Sequence, residues 1–290
     1  MKKIALLIAS LSFSLSAAQT QCANVYYSNV APDILNSNLT QKTRELCNLS
    51  FATMHSAVAR SPLWSAEHLY GSQLNTKVER SNDFHPDERL PIDERSELSD
   101  FAHSGHDRGH LAPARDFNTK QSEYESFSLS NLIVQNHDNN TKLWADIEDA
   151  TRRLAKTNGE IYVITGPLFI GNALQQANGR VLIPTKIYKA IFDPSTGRGA
   201  AYLVDNAPGY NYQIISILQL EKISGINMFP GMNQRNKSDA MGLPEPKARS
   251  NIPNAKYDSM GVREGGTSGA VERNLDLAEK GLKWFYKKGF

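Results

Sequence analysis

Apolar residues in the middle of the chain fall into short β-branched runs separated by turn residues, interrupted by one long helical stripe. The run from Gly159 to Pro167, bounded by Gly and Pro, reads as a buried strand. Lys186 to Phe192 and Ala200 to Val204 flank Asp193-Pro194-Ser195-Thr196-Gly197, which predicts a hairpin around a Pro/Gly turn. Tyr212 to Ser216 reads as a further short strand, followed by a helix of one to two turns ending at Gly225. The best helix spans Asn140 to Lys156. There Leu143, Trp144, Ile147, Ala150 and Leu154 keep the i, i+3, i+4, i+7 spacing, and Gly159 lies just past the end as a stop. Leu49 to Val58 is apolar enough for a helix or a strand. From Trp64 to Met232 the pattern is that of a mixed helix-and-strand domain.

The ends of the chain differ from this middle. Met1-Lys2-Lys3, the apolar run Ile4 to Leu15 and the small residues Ser16-Ala17-Ala18 read as a secretory signal peptide over residues 1–18, which predicts a secreted or periplasmic protein. An apolar run of about twelve residues is short of the roughly 20 that span a bilayer, so no stable membrane insertion is expected. Cys22 and Cys47, an isolated pair in a chain so routed, suggest one disulfide, with two free thiols as the alternative. From Asn233 the sequence turns rich in Gly, Pro, Asn and Ser. The tail 233–290 then recovers periodicity at Val271, Leu275, Ala278, Leu282 and Phe285, an amphipathic helix. The predicted organisation is a domain over 19–232, with its core at about 64–232, followed by that tail.

Composition narrows the function classes. With 40% hydrophobic and 21% charged residues the chain is an ordinary globular protein, and disorder throughout is excluded. Lys and Arg number 32 against 30 Asp and Glu, a balance that excludes a wholesale basic nucleic-acid coat. Charge is also unevenly placed: residues 19–232 carry 19 basic and 23 acidic groups, net −4, and residues 233–290 carry 11 and 7, net +4. Any attraction of the main domain for an anion must come from a local site.

Candidate chemistry concentrates where His103, His106 and His110 fall within eight residues. They could be three surface histidines, several imidazoles on a metal, or one general base with bystanders. No H-E-x-x-H or suitably spaced acidic third ligand supports zinc, whereas an imidazole titrating near pH 6.5 can accept a proton from water at neutral pH. The stretch Asp107-Arg108-Gly109-His110-Leu111-Ala112-Pro113-Ala114 resembles the signature of the DNA/RNA non-specific endonucleases, the ββα-metal (His-Me finger) nucleases typified by the Serratia nuclease and related to endonuclease G. The resemblance continues in order through Leu129-Ser130-Asn131, Gln135, Asn140, Trp144, Glu148 and Arg152 to Tyr162-Val163-Ile164-Thr165-Gly166-Pro167, and covers about Trp64 to Met232.

What the resemblance implies is an α+β fold with a central antiparallel sheet flanked by helices, and a secreted or periplasmic endonuclease that cuts DNA and RNA without sequence specificity to 5′-phosphate products. His110 would be the general base, and Asn140 the direct protein ligand of Mg²⁺, with Mn²⁺ as a substitute. Glu148 would hold a water of the metal's shell, Arg152 would pair with Glu148 or with phosphate, and Asn131 would organise the site. Arg80 and Arg108 would grip phosphate, and Asp107 would orient its neighbours. A homodimer is left open. Two other readings share the fold: a phosphodiesterase acting on a smaller or cell-envelope substrate, and a non-catalytic binding protein.

Overall fold

A computed structural model of the chain describes residues 20–22 and 24–247. The leader-like segment 1–18 and the helix read at 271–285 lie outside the described residues. Nine strands and three helices position the site. The strands are β1 (Thr43–Cys47), β2 (Phe51–Ser56), β3 (Ser61–Tyr70), β4 (Asp107–His110), β5 (Leu132–Gln135), β6 (Glu160–Leu168), β7 (Lys186–Asp193), β8 (Arg198–Asp205) and β9 (Tyr212–Ile215). The helices are α1 (Lys120–Ser126), α2 (Ala145–Asn158) and α3 (Ile217–Ser224).

Seven strands form one antiparallel sheet in the order β9-β8-β7-β6-β3-β2-β1. Its central strands are buried on both faces, which is why they read as continuous apolar runs rather than as an alternation with polar residues. Ile187 and Ile191 of β7, with Ala200, Tyr202 and Val204 of β8, meet Leu143, Trp144, Ile147 and Ala155 on one side. The intervening Tyr188, Ala190, Phe192, Ala201 and Leu203 pack on the other side against Ile217, Leu220 and Ile223 of α3 and against Val25 and Tyr26. The sheet is therefore the middle layer of three.

The ambiguous stretch at Leu49–Val58 is a strand, β2, paired to β1 and β3. The expected hairpin is present as β7 and β8, with Lys186 opposite Asp205 and Asp193 opposite Arg198. Helix α3 begins with a capping box in which Ser216 Oγ accepts the Gln219 N–H and the Gln219 side chain bonds back to Ser216 N. It ends at Gly225 in the left-handed region (φ 69°). Cys22 and Cys47 are disulfide-bonded, which ties the first described residues to β1. Packing continues past Met232: Lys237 is fully buried and donates to Glu221 Oε1 at 2.8 Å, and Met241 and Leu243 are buried against the α2 face of the sheet. Among the described residues no helix is long and apolar enough to cross a membrane.

Candidate active site

Strands β4 and β5 form a separate antiparallel hairpin, with Asp107 opposite Gln135 and His110 opposite Leu132. Immediately after β5 the chain turns into helix: one turn at His137–Asn139, a π-helical turn at Asn140–Trp144, then α2. This hairpin-plus-helix is a ββα unit, and the residue that links its parts is Gln135. Fully buried, it donates from Nε2 to Asn139 Oδ1 at 2.7 Å. A Cβ on Gly109 would lie 1.8 Å from Gln135 Oε1, so only glycine lets the two strands and the helix start close together.

His110 ends β4 and is 8% exposed. Phe84 and Phe127 wall its ring, with centroids 5.9 and 4.8 Å away. Nε2 is buried with no hydrogen-bond partner among the described residues. Burial, with Arg80 and Arg108 adding to it, pulls the imidazole down to about 3, so the ring is neutral at neutral pH. Both guanidiniums rest on the walls of the same pocket: Arg108 Cζ is 4.0 Å from the Phe84 centroid and Arg80 Cζ is 4.8 Å from that of Phe127. An anion drawn between these arginines offsets the charges that oppose protonation of His110.

Asn131 is fully buried and makes four side-chain hydrogen bonds, two of which hold Ala112 in the segment after His110. Its Oδ1 accepts from Ser65 Oγ (2.8 Å) and Ala112 N–H (3.0 Å), and its Nδ2 donates to the carbonyls of Ala112 (2.9 Å) and Ser126 (2.8 Å). Asn140 Nδ2 donates to Asp107 Oδ2 at 2.8 Å, which fixes the amide so that Oδ1 is its available acceptor. Asp107 also faces His137 Nδ1 at 3.0 Å. Two turns along the helix, burial pushes the Glu148 carboxyl up to about 7, with Arg152 and Lys189 opposing the rise. One oriented, neutral amide oxygen, with a half-buried carboxyl two turns along the same helix, fits a hard divalent cation that keeps most of its water shell. It does not fit a soft ion that wants sulfur or several imidazoles.

Some expectations need correction. Arg152 does not pair with Glu148: its Nη1 donates to Asp116 Oδ1 at 2.6 Å and its Nη2 to Asp149. Asp116, 36 residues away in sequence, reaches the guanidinium because the segment after His110 folds back onto α2. His103 is exposed with φ 57°, and His106 Nδ1 lies against the Ser104 carbonyl at 3.0 Å. Beneath the site lies a polar layer that the sequence reading passed over. Lys189, 1% exposed, donates to Thr165 Oγ1 (2.7 Å) and the Leu111 carbonyl (3.4 Å). Glu67, also 1% exposed, has both carboxylate oxygens buried without a hydrogen-bond partner among the described residues. Burial, reinforced by Asp116 and opposed by Lys189, raises its carboxyl well above the usual range. The one available signal was a lysine inside an otherwise apolar strand.

The hairpin, helix and central sheet together define a ββα-metal nuclease fold. Over residues 34–235 the chain matches the model of the DNA/RNA non-specific endonucleases, and it belongs to that family. It is 33% identical over 202 residues to "Nuclease EXOG, mitochondrial" of Danio rerio, a match covering 62% of this chain and 59% of that protein. It is 29% identical over 208 residues to "Endonuclease G, mitochondrial" of Bos taurus, covering 64% and 69% respectively. A crystal structure of the EndoG/EndoGI complex superposes with a TM-score of 0.59 at 27% identity, over 66% of this chain and 88% of that one. The chain spans less than two thirds of the length of the EXOG relatives. The secreted or periplasmic location expected from the N-terminal pattern is overturned by these relatives, which are named as mitochondrial nucleases.

Proposed function

We propose that this chain hydrolyses phosphodiester bonds of DNA and RNA in a divalent-metal-dependent reaction that reads no sequence and leaves 5′-phosphates. The observation that carries the reading is the pairing of a neutral, arginine-flanked His110 with an Asn140 amide that Asp107 orients. His110 accepts the proton of the attacking water, and Nε2, buried without a partner among the described residues, has a hydrogen-bonding position to fill. Arg80 and Arg108 hold the phosphate oxygens, since guanidinium groups pair with them bidentately. Asn131 fixes the backbone that follows His110. Glu148 orients water beside Asn140, and Arg152 holds α2 to the Asp116 segment. When bound at Asn140 Oδ1, Mg²⁺, or Mn²⁺ in its place, supplies positive charge against the phosphate and the departing 3′-oxygen. Water as the nucleophile makes no use of the 2′-hydroxyl, so both sugars are admitted, and contacts to phosphate carry no sequence information.

The test is cleavage of plasmid DNA and total RNA with Mg²⁺, and with EDTA as control. The expected result is a loss of at least about 100-fold in rate for both His110→Ala and Asn140→Ala, the low end of what a positioned general base contributes. A near wild-type rate in either variant overturns the reading.

A further inference from the structure

Helix α2 presents Asp149, Arg152, Arg153 and Lys156 at i, i+3, i+4 and i+7, a single face. Ordinarily such a face is simply solvated. Here it forms one wall of a cleft of about 590 Å³, closed by the segments Leu74–Arg80 and Ala114–Phe117. Six of the lining residues are cationic, Lys77, Arg80, Arg115, Arg152, Arg153 and Lys156, against two acids.

Both acids are already engaged. Glu123 Oε1 accepts from the Ser81 N–H (2.9 Å) and hydroxyl (3.4 Å), and Asp149 is shared by Arg152 and Arg115. Arg153 donates to the Glu245 carbonyl at 3.1 Å, which satisfies a hydrogen bond without neutralising its charge. Lys77 and Lys156 are exposed and make no ion pair among the described residues. The cleft therefore concentrates uncompensated positive charge within a body, residues 19–232, whose formal charge is −4. Its position is equally informative. Arg80 lines the cleft and also stands over Phe127, the ring that walls His110, so one end of the cleft opens beside the candidate base.

We infer that this cleft takes the sugar-phosphate backbone of a nucleic-acid strand on one side of the bond to be cut, with Lys77 and Lys156 each neutralising a phosphate. The inference rests on reading His110 and Asn140 as a phosphodiester-cleaving centre, and it explains how a domain of net negative charge holds a polyanion. Gathering a few cations on one concave wall strengthens their field locally without coating the surface.

The test is binding without catalysis. Fluorescein-labelled 12-nucleotide single strands, one DNA and one RNA, are titrated with the full chain in EDTA at several salt concentrations and followed by anisotropy. For K77Q/K156Q the expected result is Kd about tenfold higher or more on both strands, with the log–log salt slope reduced by about 1.4, two phosphates at about 0.7 each. K222Q, an exposed lysine on α3, should leave both quantities unchanged. A double variant that matches wild type, a K222Q that weakens binding equally, or no binding by wild type each overturns the cleft. Plasmid cleavage with Mg²⁺ by the wild-type chain and K77Q/K156Q keeps the two readings apart. Absence of cleavage by wild type sinks the nuclease centre, whereas unaltered binding by the double variant sinks only the cleft.

Discussion

A residue that must take a proton from water at neutral pH has to be uncharged beforehand, and His110 is kept so first by burial and then by Arg80 and Arg108. The same arrangement makes the fold sensitive to acid. In the unfolded chain the imidazole protonates as pH falls through about 6.5, while the folded one stays neutral down to about 3. The unfolded state therefore binds the extra proton across that window, and stability present above pH 6.5 is lost as pH drops, by up to about 1.4 kcal/mol per unit. Urea midpoints measured from pH 6.5 to 4 should fall more steeply for wild type than for His110→Ala. Parallel curves would show that His110 is not the group responsible. At this scale the motif residues were legible, because Asp107 to His110 and Asn140 carry their meaning in local order. The Glu148 partner read for Arg152 gives way to Asp116, because helical spacing names Glu148 as its neighbour and only the folded backbone brings Asp116 to it. Glu67 was invisible for the same reason, and Lys189 showed only as a lysine inside an apolar strand, since the burial of both depends on sheet and helix meeting around them.

Three strands buried on both faces announced themselves, whereas β3, equally buried at the centre of the sheet, did not. Strands β6, β7 and β8 are mostly apolar runs because the sheet has a layer on each side, and their predicted limits differ from the observed ones by a residue or two at most ends. β1 escaped because it is an edge strand in which Leu46 is the single buried residue. Helix α3 was legible through its stop at Gly225, and its start rests on the Ser216 box. Ser216→Ala removes the oxygen that accepts the Gln219 N–H, and a loss of about 1 kcal/mol is expected. Guanidinium denaturation checks this: an unchanged midpoint would mean that packing of Ile217, Leu220 and Ile223 alone sets the helix start.

For the whole molecule, the disulfide and the segment after Met232 extend the packed body at both ends of the central sheet region. Cys22–Cys47 closes a span of 25 residues onto β1, for which the chain-entropy relation gives about 3 to 4 kcal/mol. A Cys22→Ser/Cys47→Ser chain should be destabilised by roughly that amount and should unfold identically with and without reductant. Reductant sensitivity in that variant, or a midpoint equal to wild type, would remove the disulfide from the account. The pairing was legible because two cysteines allow only one. The continuation was not: Lys237, Met241 and Leu243 sit in a stretch whose composition looks extended, and their burial follows from partners such as Glu221.

The π-helical turn at Asn140–Trp144 divides the long helix into two phases. Upstream, the phase answers to Gln135 and Asp107 in the hairpin; downstream, it answers to the sheet through Ile147 and Ala155. One residue gained or lost in that turn rotates the Asn140 amide about the axis by roughly 100° while the sheet-facing stripe keeps its place. Chain length at this point, together with the hydrogen bond from Asn140 to Asp107, thus sets where the amide oxygen points, independently of how tightly the core is packed.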